Sequence, residues 1–291
     1  MLFDIYEGSI FRPPSEAHSL ILQATIGCSW NRCTFCTAFA GKNFRAKTLK
    51  ELKGDIEIVY PHYSDTTRIF LADANALCMD TDELASILEY LYSKFRNLRR
   101  VTLYGGPIDI HEKTVDELKR LREAGLSMIY LGLESGSEEV LKKVKKGATP
   151  GMMIEAGRKI REAKIRFSVM VILGLGGQEL SEEHARGTAK VLSAMDPEYA
   201  AALTLLLESG AEILEDIKAG KMTLITPEQS LKEIRTIIEG MDVTHCVFRS
   251  NHPSNYVPIR GTLPEDKEEM LRQIDDALKD HNFRPETWRA L

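Results

Sequence analysis

Short apolar runs alternate with amphipathic stretches along most of the chain. The first run, residues 19–26 (SLILQATI), ends at Gly27 and predicts a buried strand. Five further runs predict strands at residues 68–72, 100–104, 128–133, 167–173 and 199–206. Apolar positions three and four residues apart predict helices at residues 47–59, 82–95, 115–124, 138–144, 152–163, 182–193, 213–219 and 227–239.

Six strands that alternate with helices favour an α/β fold built from parallel βαβ units with right-handed crossovers. Such units form either a barrel or an open doubly wound sheet. The chain then continues with a seventh predicted strand at residues 243–248, a polar loop and a final helix at residues 265–278. We divide it into an N-terminal segment (1–18), a core (19–207) and a C-terminal part packed on that core (208–291).

Composition and charge narrow the function classes. Hydrophobic residues make up 43% of the 291 residues and charged residues 28%, which is ordinary for a soluble globular protein. The formal net charge of −5 disfavours a nucleic-acid partner, because such partners select a basic face. No apolar run is long enough to span a bilayer, and the N-terminus lacks the apolar centre of a signal peptide. We therefore expect a cytoplasmic protein without membrane partners, whose thiols stay reduced.

Three of the five cysteines lie within nine residues. Cys28, Cys33 and Cys36 stand in GCSWNRCTFC, a C-x4-C-x2-C arrangement that directly follows the first predicted strand. Clustered thiolates favour zinc or an iron–sulfur cluster. Structural zinc sites and iron–sulfur electron carriers usually take four protein ligands, whereas three thiolates would leave one iron of a cubane open.

Two other interpretations of this loop stay open at this point. The cysteines could be buried or unliganded thiols, or they could form a zinc site completed by a distant residue such as His245 or Cys246. The remaining thiol, Cys78, and Cys246 itself are interpreted as small buried residues, since two cysteines cannot hold an auxiliary cluster.

The cysteine loop, with Phe35 just before its last cysteine, resembles the cluster loop of the radical S-adenosylmethionine (radical SAM) superfamily. The usual spacing there is C-x3-C-x2-C, so this loop carries one additional residue. The resemblance covers about residues 18 to 207 and implies a partial (β/α)6 barrel with a C-terminal extension. It also implies a [4Fe–4S] cluster on Cys28, Cys33 and Cys36, with S-adenosylmethionine on the open iron.

The same resemblance implies where S-adenosylmethionine binds. LADANAL (71–77) lies where the family receives the methionyl amino group, although the usual Gly-Gly-Glu is absent. GLESGSEEVLKKVKKGAT (132–149) and VILGLGGQE (171–179) resemble segments that contact the ribose, the methionine carboxylate and the adenosine. The cofactor contacts implied in this way are Phe35, Asp73, Ala74, Glu134, Ser135, Lys146, Leu173 and Gly174. The alternatives are a helix N-terminal acid for Glu134 and a solvated charge for Lys146.

The implied activity is reductive cleavage of S-adenosylmethionine to a 5′-deoxyadenosyl radical, which abstracts hydrogen from a small-molecule substrate. An external one-electron donor of the flavodoxin or ferredoxin type would supply the electron. The alternatives are a radical SAM enzyme that modifies tRNA or protein, and a non-enzymatic iron–sulfur scaffold or electron carrier.

Polar residues and glycines at predicted strand ends are candidates for the substrate site. The glycines could leave room for a substrate or merely form a turn, and the donor-rich C-terminal loop could bind a carboxylate or phosphate or could be held by its own hydrogen bonds. We predict substrate contacts from Asn75, Gly105, Gly106, Arg249, His252, Asn255 and Tyr256, with Arg260 in the same loop.

Overall fold

The computed structural model describes residues 5–290, which form two compact units. The first unit contains the chain up to Asn31, Ala38–Leu131 and Lys159–Phe167. The second contains Arg32–Thr37, Gly132–Arg158 and the chain from Ser168 onward. The three-part division expected from the sequence is not tested by this finding and stays a prediction.

Strands and helices alternate as the sequence pattern predicts. The strands are β1 (Leu20–Gln23), β2 (Thr25–Ile26), β3 (Arg45–Ala46), β4 (Arg68–Ala72), β5 (Arg100–Tyr104), β6 (Leu126–Glu134), β7 (Arg166–Leu173), β8 (Tyr199–Thr204), β9 (Cys246–Arg249) and β10 (Arg260–Leu263). The helices are α1 (Leu49–Tyr63), α2 (Thr81–Lys94), α3 (Pro107–Glu112), α4 (Val115–Glu123), α5 (Glu138–Lys143), α6 (Pro150–Glu162), α7 (Ser181–Met195), α8 (Ile213–Lys218), α9 (Pro227–Gly240) and α10 (Lys267–Asp280).

In the first unit, parallel strands pair in the order β1, β4, β5 and β6. Most of their side chains are buried, as expected for parallel strands covered by helices. Leu52, Ile56 and Val59 lie three or four residues apart on α1 and are buried. A capping box between Thr48 and Glu51 fixes where α1 begins, and these hydrogen bonds lower the pKa of Glu51 to about 2.

The apolar run at residues 19–26 is interrupted, contrary to the single strand predicted there. β1 joins the parallel sheet, whereas β2 pairs antiparallel with β3. Both halves are buried, so hydrophobicity could not reveal the change of partner. Three elements were not predicted, β3, α3 and β10, because each has six residues or fewer and too little periodicity to be recognised.

In the second unit, β7, β8 and β9 are parallel and β10 is antiparallel to β9. The seventh predicted strand is confirmed as β9, shifted towards its C-terminal end, and the final predicted helix is α10. Helices α7 and α9 pack closely together. Among residues 5–290, no helix combines the length and apolar character that crossing a membrane requires.

Candidate cluster and cofactor site

The cysteine loop begins in the first unit, immediately after β2. The backbone N–H of Asn31 donates to Cys28 Sγ over 3.3 Å. None of the five cysteines is in a disulfide, and Cys28 is half-buried. A backbone N–H aimed at sulfur is a contact that stabilises a thiolate more than a neutral thiol.

The rest of the loop, residues 32–37, belongs to the second unit. Cys33 and Cys36 share one turn, in which the Cys36 N–H donates to the Cys33 carbonyl over 3.2 Å. Thr34 fastens this turn at both of its backbone groups: its N–H donates to Val144 O (3.1 Å), and its carbonyl accepts from Ile213 N–H (2.9 Å). Phe35 packs against an apolar cluster that includes Val144 and Ile213, so its ring anchors the turn.

Asp73 is fully buried at the end of β4 and holds the start of the loop. Its Oδ2 accepts hydrogen bonds from Gly27 N–H (3.1 Å) and Gln23 Nε2 (3.3 Å), and forms an ion pair with Lys42 Nζ (2.8 Å). The other oxygen, Oδ1, is buried without a hydrogen-bond partner among residues 5–290. A ligand ammonium group would satisfy that acceptor, so the predicted cofactor role of Asp73 fits its surroundings.

Asn75 holds the residue after the first cysteine. Its Oδ1 accepts from Ser29 N–H (3.2 Å), and its Nδ2 donates to Ser29 Oγ and to both carboxylate oxygens of Asp109 (3.1 and 3.0 Å). Burial raises the pKa of Asp109, while hydrogen bonds from Asn75 and Gly106 N–H oppose the rise. The amide of Asn75 is thus engaged within the protein, and its predicted substrate contact stays a prediction.

The two glycines after β5 both have structural explanations. A Cβ on Gly105 would come 2.7 Å from Leu77 Cδ2 and 3.0 Å from Ile129 Cγ2. Gly106 caps α3, and its N–H donates to Asp109 Oδ2 over 2.7 Å. Neither contact tests the predicted substrate role. Ala74, between Asp73 and Asn75, is half-buried.

Glu134 and Lys146 form an ion pair in the second unit. Lys146 Nζ lies 2.9 Å from Glu134 Oε1, and each side chain is only 12% exposed. The pair lies over Gly132, where a Cβ would come 3.1 Å from Lys146 Nζ. Glu134 has φ of 63°, a left-handed conformation that a glutamate rarely adopts and that concentrates at functional sites.

Ser135 and Gly174 follow β6 and β7 and are both buried. Ser135 Oγ contacts His184 Nδ1 at 2.8 Å, and Gly174 N–H donates to Glu233 Oε2 over 2.7 Å. Leu173, fully buried, ends β7, and its carbonyl accepts from Leu205 N–H.

The C-terminal loop after β9 is held by hydrogen bonds among its own residues, to β8 and to the final segment of the chain. Asn255 is buried, donates to the carbonyls of Ala202 and Ser250 (both 2.8 Å) and accepts from Thr204 Oγ1 (2.9 Å). His252 contacts the Ser254 hydroxyl and N–H through Nδ1, and burial lowers its pKa.

Tyr256, in the same loop, contacts the final segment of the chain. Its hydroxyl donates to Glu286 (2.8 Å), and the Arg289 guanidinium lies 4.4 Å from its ring centre. Burial raises the pKa of Tyr256 to about 12, so its hydroxyl stays protonated. The predicted substrate contacts of His252, Asn255 and Tyr256 therefore stay untested predictions.

Arg249 and Arg260 are directly opposite each other in the antiparallel pair β9–β10, and both are exposed. Neither makes an ion pair or side-chain hydrogen bond among the residues that the structure describes. Ala201 is the register partner of Arg249 on β8. Directly opposite residues share one face of a strand pair, so two arginines without acidic partners among the described residues favour binding of an anion there.

Cys246 is buried, as the sequence predicts, whereas Cys78 is only half-buried, contrary to that prediction. Burial raises the pKa of each thiol to about 12, and the nearby Asp109 adds to the effect at Cys78. Both thiols therefore stay protonated at neutral pH.

The donor set of the cysteine loop fits an iron–sulfur cluster. Within residues 5–290, no group of three or more His, Cys, Asp or Glu side chains converges on the position of a single metal ion. A cubane is different, because each thiolate binds its own iron and the ligands need not meet at one point. Three cysteine thiols on one short, anchored loop suit that second arrangement.

The sequence analysis did not predict Lys42, Asp109, His184 and Glu233, which contact the candidate residues Asp73, Asn75, Ser135 and Gly174. His184 and Glu233 had a recognisable signal, since each lies on the apolar face of an amphipathic helix. A polar residue on such a face needs a buried partner. Lys42 and Asp109 lie in loops or very short helices and carried no such signal.

Comparison with known proteins finds a matching family model and several similar proteins. A family model described as Radical SAM superfamily matches residues 22–189, more than half of the chain. The 4′-phospho-dehydrooxetanocin synthase of Priestia megaterium is 26% identical over 91% of this chain, and an uncharacterized methyltransferase of Pyrococcus horikoshii is 24% identical over 62% of it. The chain spans only 37% and 38% of the lengths of these two relatives.

Solved structures agree on the fold. The radical S-adenosylmethionine methyltransferase TsrM of Kitasatospora setae, solved with cobalamin and a [4Fe–4S] cluster bound, superposes with a TM-score of 0.52 at 18% identity. The match covers 64% of this chain and 36% of TsrM. Together with the family match, it establishes the α/β fold as the partial barrel of the radical SAM type.

Proposed function

Because this chain belongs to the radical SAM superfamily, we propose that it cleaves S-adenosylmethionine and uses the resulting radical to take hydrogen from a small-molecule substrate. Radical SAM enzymes use a [4Fe–4S] cluster together with S-adenosylmethionine. The observation that carries the proposal is the C-x4-C-x2-C loop, whose three thiols are held in a family-matched segment.

When bound, the cluster and S-adenosylmethionine would supply a 5′-deoxyadenosyl radical and methionine, with one electron from an external flavodoxin- or ferredoxin-type donor. Transfer of a hydrogen atom from the substrate would give 5′-deoxyadenosine and leave the unpaired electron on the substrate. The protein supplies position and excludes water.

Different residues of this chain would bind the cluster and S-adenosylmethionine. Cys28, Cys33 and Cys36 would each bind one iron. In the first unit, Asp73 Oδ1 has no hydrogen-bond partner among the described residues and would accept a hydrogen bond from the amino group of S-adenosylmethionine. In the second unit, Lys146 would pair with the methionine carboxylate in place of Glu134.

We further propose that the substrate carries an anionic group. Arg249 and Arg260 are register partners of β9 and β10, and neither has an acidic partner among the described residues. A carboxylate or phosphate between them would offset the repulsion of the two guanidinium groups.

Anaerobic reconstitution with iron and sulfide tests the proposed function. We expect a brown protein with about four irons per chain that converts S-adenosylmethionine to 5′-deoxyadenosine when dithionite is added. Chromatography of the quenched mixture measures the product. Cys33→Ala and Cys36→Ala should abolish its formation, because a cluster with a missing ligand is lost or inactive.

Cys246→Ala is the matched control, since this buried thiol lies outside the loop and should leave both iron content and product formation intact. Circular dichroism confirms that each variant is folded. A reconstituted wild-type protein that holds zinc, or that holds a cluster but yields no 5′-deoxyadenosine, would refute the proposal.

A further inference from the structure

We propose that His184 and Glu233 are positioning residues, which together hold the two backbone turns that contact S-adenosylmethionine. The inference rests on the proposed function, because the cofactor role of those turns comes from it. We call residues 134–137, at the C-terminal end of β6, the first turn, and residues 173–177, at the C-terminal end of β7, the second turn. Neither His184 nor Glu233 has a role in the chemistry described above.

Helix α7 is pressed against the first turn. A Cβ on Gly136 would lie 2.2 Å from Gly187 O, so the two backbones meet with no room for a side chain. Gly136 N–H donates to Thr188 Oγ1 (2.9 Å). One helical turn earlier, His184 is fully buried and its Nδ1 lies 2.8 Å from Ser135 Oγ. The histidine therefore sits where α7 fixes the first turn.

The second turn depends on α9. Glu233 is only 2% exposed, and its Oε2 accepts from Gly174 N–H (2.7 Å). Its Oε1 accepts from the hydroxyl of Ser181, at the start of α7 (2.6 Å). Gly174 has φ of 78°, which glycine adopts without strain, so this carboxylate selects one conformation of the turn.

The two residues face each other across the helix pair. His184 Nε2 lies 3.8 Å from Glu233 Oε2 and has no hydrogen-bond partner among residues 5–290. Ser135 Oγ accepts from Ser137 N–H (3.0 Å) and can donate its own hydrogen to His184 Nδ1. In that tautomer the neutral histidine carries its hydrogen on Nε2, on the side of the Glu233 carboxylate but beyond hydrogen-bond distance. We call this buried pair, His184 and Glu233, the relay between the first turn and the second.

Protonation of Glu233 disturbs this relay. Both of its oxygens already accept hydrogen bonds, so an added proton competes with Gly174 or Ser181 for a position. His184 on α7 is the titratable group facing it, while the β7 side presents the Gly174 N–H. Burial raises the pKa of Glu233 to about 7 and lowers that of His184 to about 4. The intact relay is thus favoured above neutral pH and weakened below it, with the histidine neutral throughout.

The Glu233→Gln variant distinguishes a specific hydrogen-bonding role of the Glu233 carboxylate from a general contribution to packing. The amide can accept from Gly174 but cannot also accept from Ser181 with its NH2 group, so it imitates the protonated acid. We expect the reconstituted variant to bind S-adenosylmethionine about tenfold more weakly, with a Kd that does not change with pH. The wild-type Kd should rise as the pH falls from about 8 to about 6. Equilibrium dialysis measures both.

A second readout needs no cofactor. Hydrogen exchange at the second turn should be faster in Glu233→Gln than in wild type, because Gly174 N–H loses a charged acceptor. The matched control is Glu239→Gln, the same change on an exposed position of α9. It should leave the Kd, its pH dependence and the exchange unchanged.

Equal Kd values and equal pH profiles for wild type and Glu233→Gln would overturn the inference, as would unchanged exchange at Gly174. A cluster-containing wild-type protein that binds no S-adenosylmethionine at all would instead refute the proposed function. The two failures are therefore distinguishable.

Discussion

At the scale of single residues, buried charged side chains position the candidate site through their hydrogen bonds and ion pairs. Asp73 is the clearest case, because one carboxylate oxygen receives Gly27 N–H just before Cys28 and the ammonium of Lys42 just after the cysteine loop. A buried carboxylate is tolerated only when such partners compensate for its lost hydration. The same group therefore fixes both ends of a loop that otherwise has no regular structure.

Asp73→Ala should loosen the cysteine loop before any cofactor is bound. Removing one member of a buried ion pair leaves Lys42 without its carboxylate partner and should lower the free energy of unfolding by about 3 kcal/mol. We also expect reconstituted protein to retain less than about half of the wild-type iron, because Gly27 N–H loses its acceptor. Denaturant unfolding and iron analysis after gel filtration measure the two effects.

Asp55→Ala is the matched comparison, since Asp55 pairs with the buried Lys47 at 2.8 Å in the same unit, away from the cysteines. It should be destabilised similarly yet keep its iron. If both variants lost iron to the same extent, iron retention would follow overall stability and the loop-positioning role of Asp73 would be wrong.

At the scale of elements, strand register brings together residues that are distant in sequence. Eleven positions separate Arg249 from Arg260, yet the hairpin of β9 and β10 makes them register partners. Like charges directly opposite each other destabilise a strand pair, so an anion between them would be bound with a gain in stability. The hairpin is thus a better candidate for substrate binding than the loop that connects its strands.

Arg260→Gln should stabilise the protein in low salt and remove its response to anions. In wild type we expect inorganic phosphate to raise the free energy of unfolding by about 1 kcal/mol at saturating concentration. Thermal unfolding in phosphate, against sodium chloride of equal ionic strength, separates binding from screening. Arg272→Gln, an exposed arginine on α10, is the control and should respond as wild type does. An equal phosphate effect in Arg260→Gln would exclude the arginine pair as the anion site.

At the scale of the whole molecule, the last residues of the chain complete the second unit. The Arg289 side chain is only 4% exposed and donates to the carbonyls of Ser254 (2.6 Å) and Leu205 (2.8 Å) and to the Tyr256 hydroxyl (2.7 Å). Arg284 donates to the carbonyls of the same loop. The final segment therefore holds the loop after β9 against the end of β8.

Arg289→Ala should release that loop without disturbing the rest of the unit. Losing hydrogen bonds from a buried guanidinium should cost about 2 kcal/mol and speed hydrogen exchange at residues 250–259. Mass spectrometry of peptides from this loop measures the change. Arg186→Ala, at an exposed position on α7, provides the comparison. Exchange that stays as slow as in wild type would show that the loop is held by its own contacts alone.

The sequence by itself determined the elements and the chemistry that a short stretch can encode. Apolar runs located the core strands because burial of a strand leaves a local pattern, and three cysteines within nine residues indicated a cluster ligand set that the family match supports. The same pattern failed at residues 19–26, where β1 and β2 are equally buried but have different partners.

Only the tertiary structure decided which side chains act on one another. The Asp73–Lys42 pair, the opposed arginines and the His184–Glu233 relay each join segments that lie between 11 and 49 residues apart. No local periodicity records such contacts, because they depend on strand register and helix packing. A polar residue on the apolar face of a predicted helix indicates that a buried hydrogen-bond partner exists. Which residue that partner is depends on how the helices and strands pack.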